Sequence, residues 1–339
     1  MRSQLNQINE RLKIKSFKNK FLTAMPCTHI SAFFFIFLNG IIFDKKLIFL
    51  NYFNPLKFLQ LLSREKLSLV YLNPTMIEIL NQYIRKFINL KKTTILCGSA
   101  PLSKNTLEKF IQKSNCKFIH LYGLTETTNT ACVTPPNRKK GFYKNLYFDE
   151  NTPSIGKPLK GCEIKLLRNN KIILNEKEIG EFIIKGPNVI KPLKNYKNYG
   201  FNFKKEYLKT GDVGFFKKIK NETFFYITGR KKEMIIKNGI NIYLNEIDSF
   251  LKSKGLARTV AIKKASRFSG EDYILVTDSH NEFKKKFKII ISKLPKYMRT
   301  NKIILVQELL KTISGKLKKN LISETIVNMK NFFLKEKDF

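Results

Sequence analysis

Cys116-Lys117-Phe118-Ile119-His120-Leu121-Tyr122-Gly123-Leu124-Thr125-Glu126-Thr127-Thr128 sets a short apolar run directly before a glycine loop rich in hydroxyls. The run from Cys116 to His120 reads as a β-strand that Tyr122-Gly123 brings to an end. Outward from it the same grammar repeats. Leu67 to Leu72 is β-rich and closed by Asn73-Pro74, and a helical pattern follows from Thr75 to Phe87. Thr94-Ile95-Leu96-Cys97 runs into Gly98-Ser99-Ala100-Pro101, and a second helical pattern covers Ser103 to Lys113. Strand, helix, strand at this spacing predicts parallel βαβ units with functional loops at the carboxyl ends of the strands. From Ser154 to Ile227 the pattern changes to short β-rich runs separated by turns: Glu163 to Leu167, Gly180 to Lys185, Val213 to Phe216 and Thr223 to Ile227. That is the pattern of a β-subdomain. Beyond Arg230, strands and helices mix over a length normal for one small α+β domain, with pieces at Glu246 to Ser253, Thr259 to Ile262, Tyr273 to Thr277 and Glu282 to Leu294. The expected class is α/β.

Composition narrows the function. The chain has 339 residues, 43% of them hydrophobic, which is ample for a packed core and excludes wholesale disorder. Its 64 Lys+Arg against 26 Asp+Glu give a formal charge of +38, which invites a nucleic-acid or anionic-membrane reading. The basic residues are dispersed, however, and no zinc-finger, RNA-recognition or helix-turn-helix pattern appears. Lys284-Lys285-Lys286 reads as a solvated helix face, so nucleic acid is not the expected partner. Cys27, Cys97, Cys116, Cys132 and Cys162 lie far apart with no CxxC pair, and with only His29, His120 and His280 no zinc site assembles at the usual spacing. An odd, dispersed set suits buried thiols in a reducing cytosol. The apolar run Ile30 to Phe43 falls short of the roughly 20 residues of a spanning helix, and Asn39, Gly40 and Asp44 interrupt or close it. It reads as a buried helix; the alternative is a signal anchor behind the basic stretch through Lys20, but no small-residue cleavage site follows.

Four loops carry candidate chemistry, each with a plain-turn alternative. Small residues in Gly98-Ser99-Ala100-Pro101 let a flat ligand approach the backbone closely, as would an ordinary strand-to-helix turn. In Tyr122 to Thr128 an aromatic face, hydroxyls and a carboxylate suit a nucleotide with a metal on its phosphates. There Tyr122 is placed to stack on a base, Thr125 to donate to phosphate and Glu126 to hold Mg²⁺ through oxygen. Thr210-Gly211-Asp212 sets a carboxylate on a tight turn where it can accept both ribose hydroxyls, although Asp is also a common turn residue. Lys311-Thr312-Ile313-Ser314-Gly315-Lys316 presents a Lys on a glycine turn, or a solvated Lys in a Lys-rich tail.

Taken in order, these loops resemble the motifs of the adenylate-forming acyl-CoA synthetase superfamily. Leu121 to Glu126 is similar to its central motif and Tyr207-Leu208-Lys209-Thr210-Gly211-Asp212 to its ribose-binding motif. Gly229-Arg230-Lys231-Lys232-Glu233-Met234-Ile235-Ile236-Lys237-Asn238-Gly239 is similar to its hinge motif, with Glu246-Ile247-Asp248 beyond it, and Lys311 to Lys316 to its C-terminal lysine motif. Lesser matches are Pro26 with His29, Ser154-Ile155-Gly156-Lys157-Pro158, and Gly180-Glu181 with Gly186-Pro187; the resemblance runs from about residue 21 to about residue 325. It implies a truncated N-terminal adenylate-forming domain over residues 1–231 and a C-terminal lid domain over residues 232–339. It also implies a two-step reaction. A carboxylate, of a fatty acid foremost, attacks the α-phosphate of ATP to give an acyl-adenylate and pyrophosphate, and a thiol of coenzyme A or of a carrier protein then attacks the acyl carbon. By resemblance Gly98, Ser99 and Ala100 border adenine and Tyr122 stacks on it. Thr125 bonds phosphate, Glu126 holds Mg²⁺, Asp212 binds ribose, and Arg230 contacts ribose or phosphate. Lys316 stabilises the charge developing between carboxylate and α-phosphate, an electrostatic role. Lys232 marks the hinge and Gly239 lines the pantetheine path, for a lid that assembles each half-site in turn. A cytoplasmic enzyme is expected, with membrane-peripheral association as the variant.

The departures matter as much. The family's phosphate-gripping glycine loop is expected before Phe21, yet Met1 to Lys20 contains no glycine. Backbone donors for the β- and γ-phosphates are therefore not found in this sequence, and the first subdomain that carries them is expected to be missing. Leu310 stands where Pro is usual, Lys319 where Arg is usual, and Pro192-Leu193 where Gly-Tyr is expected. Two readings follow: a ligase completed by a separately encoded N-terminal fragment or impaired in adenylation, and a non-catalytic remnant or interaction protein.

Overall fold

The computed structural model describes residues 2–136, 140–191, 203–238, 240–256, 258–266, 270–278, 283–300, 302–310, 317–319, 321–323 and 337–338. The chain divides into two compact units, Met1–Ile227 and Thr228–Phe339.

The first unit is built on parallel strands Lys20–Thr23 (β1), Leu47–Phe49 (β2), Leu67–Leu72 (β3), Thr94–Cys97 (β4) and Lys117–Tyr122 (β5), in the order β2-β1-β3-β4-β5. Cys132–Val133 (β6) and Lys157–Pro158 (β7) extend this sheet antiparallel. All six residues of β3 are buried, which is why its sequence is a continuous apolar run rather than an alternating one. Helix Arg2–Leu12 (α1) precedes the sheet, and Pro55–Arg64 (α2), Pro74–Tyr83 (α3) and Lys104–Ser114 (α4) lie between its strands. Their starts are written in the sequence. The side chains of Asn54, Asn73 and Ser103 accept the N–H groups of Lys57, Met76 and Thr106, and Pro55 and Pro74 take the first helical position. Ile30–Ala32, Phe33–Leu38 and Asn39–Ile42 run on as one helical segment with a π-helical middle. It buries Phe34, Phe35 and Ile36 but leaves Phe37, Ile41 and Ile42 exposed. Among the described residues no helix is long and apolar enough to cross a membrane.

A second, antiparallel sheet follows helix Lys140–Tyr147 (α5). Its strands are Glu163–Arg168 (β8), Lys171–Ile172 (β9), Gly180–Lys185 (β10), Phe203–Lys204 (β11), Tyr207–Ile219 (β12) and Glu222–Arg230 (β13). The order is β11-β12-β10-β8-β9, with β13 on β12. Here the sequence reading needs correction. Thr210-Gly211-Asp212 is not a turn between strands but a bulge inside the 13-residue β12. Lys209 pairs with Ile183 and Val213 with Glu181, so three residues stand opposite Phe182 alone. Gly211 at φ 72° supplies the left-handed residue that the bulge needs. The two sheets are stapled where Ile155 N–H donates to Phe225 O and Phe225 N–H to Gly156 O, each at 2.9 Å.

In the second unit, Met234–Lys237 (β14), Ile240–Tyr243 (β15), Thr259–Ser266 (β16), Gly270–Thr277 (β17), Lys302–Leu305 (β18) and Lys337–Asp338 (β19) form a mixed sheet in the order β15-β14-β17-β18-β19, with β16 paired to β17. Helices Leu244–Ser253 (α6) and Phe283–Ile291 (α7) supply Ile247, Leu251 and Phe287 to a core shared with Ile235, Ile242 and Tyr273. The side chains of Lys284, Lys285 and Lys286 lie outside the described residues, as do Pro192-Leu193 and His280. The whole is the α/β class expected.

Two glycines test this packing. A Cβ on Gly156, at φ 92°, would fall 2.1 Å from the Val133 carbonyl carbon, whereas one on Gly211 would meet nothing within 4 Å. Gly156→Ala is therefore expected to cost more than about 2 kcal/mol, and Gly211→Ala only the left-handed backbone penalty of about 1 kcal/mol. Urea midpoints measure both; equal losses would contradict the account.

Candidate functional site

Loops from several strands meet at the carboxyl ends of the parallel strands, where open α/β sheets bind ligands. After β1 come His29 and Ser31, β3 ends with Tyr71-Leu72, β4 enters Gly98-Ser99, and β5 enters Tyr122-Gly123. Ser99 Oγ lies 2.8 Å from Tyr71 Oη and 3.2 Å from Ser31 Oγ, and Ser31 Oγ donates to Asn129 Oδ1 at 2.7 Å. Burial raises the Tyr71 phenol to about 12 against its own hydroxyl contacts, so it stays protonated at neutral pH. The Ser31 N–H donates to His29 Nδ1 at 3.3 Å, capping the following helical segment, and partial burial lowers the His29 pKa. Gly98 is buried, and a Cβ there would sit 2.9 Å from Leu121 O. Ser99 is exposed and Ala100 half-buried.

The loop after β5 is held by its backbone. A Cβ on Gly123 would fall 2.2 Å from Asn129 O. Thr127 Oγ1 accepts Leu124 N–H at 2.9 Å, and Thr128 and Asn129 take left-handed conformations at φ 50° and 91°. Asn188 clamps the loop from outside, its Nδ2 donating to Thr127 O at 2.9 Å and Thr130 O at 2.7 Å. Thr128 Oγ1 returns a bond to Asn188 O at 2.7 Å, and Ile190 N–H donates to Glu126 O at 2.9 Å. With the main chain so engaged, Thr125 is left exposed and Glu126 half-buried. A hydroxyl and a carboxylate on a fixed loop can meet a phosphate and a hard cation respectively.

Tyr122 and Asp212, ninety residues apart, come together: Tyr122 Oη donates to Asp212 Oδ2 at 2.7 Å. Both are buried, at 9% and 4% exposure. Burial, then the adjacent Asp212 carboxylate, raises the phenol pKa well above its ordinary value, so the phenol is the donor. Thr210 Oγ1 accepts Asp212 N–H and donates to Phe182 O, each at 3.0 Å, and the Phe182 ring lies 6.0 Å from that of Tyr122. The bulge thus turns Asp212 inward toward β5.

Gly98, Ser99, Ala100, Tyr122, Thr125, Glu126 and Asp212 all belong to the first unit, whereas Arg230 and Lys232 lie exposed in the second. Lys316 and Gly239 lie outside the described residues. Lys319, noted as a departure, has a structural role in the second unit: its Nζ lies 2.7 Å from Asp248 Oδ2 and 3.7 Å from Glu233 Oε2. Burial works against that ammonium, but Asp248 and Glu233 outweigh it and raise its pKa. Residues that pattern reading passed over are Ser31, Tyr71, Asn129 and Asn188. One signal was available: a hydroxyl-bearing Tyr71 inside an otherwise buried strand requires a partner.

Residues 1–193 match the sequence profile of a family described as AMP-binding enzyme. The 2-succinylbenzoate–CoA ligase of Listeria monocytogenes is 27% identical over 317 residues, covering 91% of this chain and 62% of that protein. The enzyme of the same name from Bacillus subtilis is 30% identical over 237 residues, covering 70% and 46%. Among solved structures, O-succinylbenzoate coenzyme A synthetase from Bacillus subtilis in complex with ATP and magnesium superposes with a TM-score of 0.77 at 26% identity, over 95% of this chain and 65% of that one. ATP-bound MatB from Rhodopseudomonas palustris shares the fold, with a TM-score of 0.76 at 24% identity over 97% and 64%. The chain therefore spans less than two thirds of the length of these proteins.

Two outcomes check the geometry. Tyr122→Phe leaves the buried Asp212 carboxylate without its phenolic donor and should cost about 1–3 kcal/mol in urea unfolding. His120 is buried with Nδ1 2.8 Å from Ser154 O, and burial lowers its pKa to about 4 despite that carbonyl. The unfolded chain therefore takes up a proton between about pH 6.5 and 4 that the folded chain refuses, and stability is lost as pH falls through that window, by up to about 3 kcal/mol. His120→Asn, which keeps a donor near Ser154 and cannot titrate, should lose measurably less between pH 7 and 4.5; an identical loss would refute the assignment.

Proposed function

Because this chain belongs to the AMP-binding enzyme family, we propose that it carries the nucleotide and thioester-forming parts of an AMP-forming acid–thiol ligase. The supporting observation is the buried Tyr122–Asp212 bond, which holds the Asp212 carboxylate at the end of β5 that leads into the loop of Thr125 and Glu126. In this reading residues 1–231 are the adenylate-forming domain, as far as the chain carries it, and residues 232–339 are the lid.

Adenine lies along Gly98, Ser99 and Ala100 and against Tyr122, and Asp212 accepts the ribose hydroxyls with its remaining lone pairs. Thr125 donates to phosphate. Glu126 supplies oxygen to Mg²⁺, which when bound offsets the charge of the phosphates. A carboxylate oxygen attacks the α-phosphorus and pyrophosphate leaves; Lys316 offsets the charge that develops between the two, aided by Arg230 on ribose or phosphate. The thiol sulfur of coenzyme A then attacks the acyl carbon and AMP leaves. Lys232 is the hinge position for this change and Gly239 lines the pantetheine path. The names of the relatives favour an acid such as 2-succinylbenzoate over the fatty acid expected from sequence.

A second, narrower reading rests on Lys232 and Gly239, which belong to the thioester-forming half: the chain forms thioester from a supplied acyl-adenylate. Both are tested on the purified chain with 2-succinylbenzoate, ATP, Mg²⁺ and CoA, and separately with the preformed acyl-adenylate and CoA. AMP release in the first assay, falling at least 100-fold in Lys316→Ala, supports the full ligase. Release in the second alone supports the thioester half, and release in neither sinks both.

A further inference from the structure

We propose that Tyr71 and Ser31 are positioning residues, whose hydroxyls hold Ser99 in a left-handed backbone conformation and so shape the Gly98–Pro101 loop for the nucleotide. This rests on the nucleotide reading above and extends it to two side chains outside the loop motifs.

Ser99 has φ 74°, a region in which a side chain crowds its own backbone and which glycine enters freely. Such a conformation persists where the surroundings over-determine it. Here they do so from below. Tyr71 is 1% exposed, sits in β3 between β1 and β4, and stacks on Phe35 with ring centroids 5.9 Å apart and planes at 13°. Ser31 is 5% exposed and fixed twice, through Oγ to Asn129 Oδ1 at 2.7 Å and through its N–H to His29 at 3.3 Å. Both anchors are buried, and both reach the hydroxyl of the exposed Ser99, at 2.8 and 3.2 Å. A hydroxyl engaged twice by buried partners fixes the χ1 of Ser99 and, through Cβ, the backbone that carries it. The same chain runs on to Asn129, so the loop after β4 and the loop after β5 are set by one network.

An alternative role for the Ser99 hydroxyl is direct contact with the nucleotide. Glycine separates the two, because it removes the hydroxyl yet takes positive φ without strain, whereas alanine removes the hydroxyl and keeps the strain. The test is AMP affinity by titration calorimetry on the full chain, with thermal unfolding alongside, for wild type, Tyr71→Phe, Ser31→Ala, Ser99→Ala, Ser99→Gly and the Tyr71→Phe/Ser99→Gly pair. Tyr71→Phe and Ser99→Ala should each weaken AMP binding about 3- to 10-fold, and Ser31→Ala should act in the same direction. Ser99→Gly should bind several-fold more tightly than Ser99→Ala, and adding Tyr71→Phe to Ser99→Gly should change affinity by less than about twofold. The proposal is overturned if Ser99→Gly binds as weakly as Ser99→Ala, if Tyr71→Phe costs the same in both backgrounds, or if Tyr71→Phe lowers the unfolding temperature and leaves AMP affinity unchanged. A folded wild type that binds no AMP refutes the nucleotide reading itself, a result distinct from any difference among the variants.

Discussion

The buried hydrogen bond from Tyr122 to Asp212, 2.7 Å long, joins the end of the central parallel sheet to a bulge in the antiparallel one. A carboxylate that is 4% exposed is costly to hold without a donor, and a phenol in the same apolar surroundings is costly without an acceptor. Each group partners the other. The constraint propagates: Asp212 faces Tyr122 only because β12 bulges at Gly211, and Tyr122 is fixed because Gly123 turns the chain where a side chain would strike Asn129 O.

The loops around this bond are ordered by side-chain amides and hydroxyls rather than by regular pairing. Asn188 holds two carbonyls of the loop after β5, and Ser31 and Tyr71 hold the hydroxyl of the loop after β4. Loops at strand ends have no ladder to satisfy their backbone, so buried donors and acceptors must come from elsewhere in the chain. A loop preorganised in this way has little ordering left to do when it meets a ligand.

Much of the first unit was legible because its signals are local. Asn73-Pro74, read as the close of a strand before a helical pattern from Thr75, also opens that helix, with Asn73 capping Met76 N–H at 2.8 Å. The strands Thr94–Cys97 and Gly180–Lys185 have the bounds that their apolar runs suggested. Thr210-Gly211-Asp212 was misread as a turn because glycine followed by aspartate is compatible with a turn and a bulge alike. Which of them forms depends on whether a partner strand lies alongside, and β10 does. Tyr71 and Asn188 are illegible in sequence for a related reason: a polar side chain in an apolar run, or after Gly-Pro, names no partner until the chain has folded.

Four glycine loops in a fixed order, together with the alternation of strands and helices, are a one-dimensional record, and from that record alone the superfamily, the α/β class and the candidate nucleotide residues could be read. What only the tertiary structure decided is how those residues are held: the inward turn of Asp212, the clamp of Asn188 across 61 residues to Thr127, and the hydroxyls set beneath Ser99. The physical reason is that spacing along the chain encodes backbone periodicity and turn chemistry. The partner of a buried polar group is chosen by desolvation, which acts between residues brought together by the packing of the whole core.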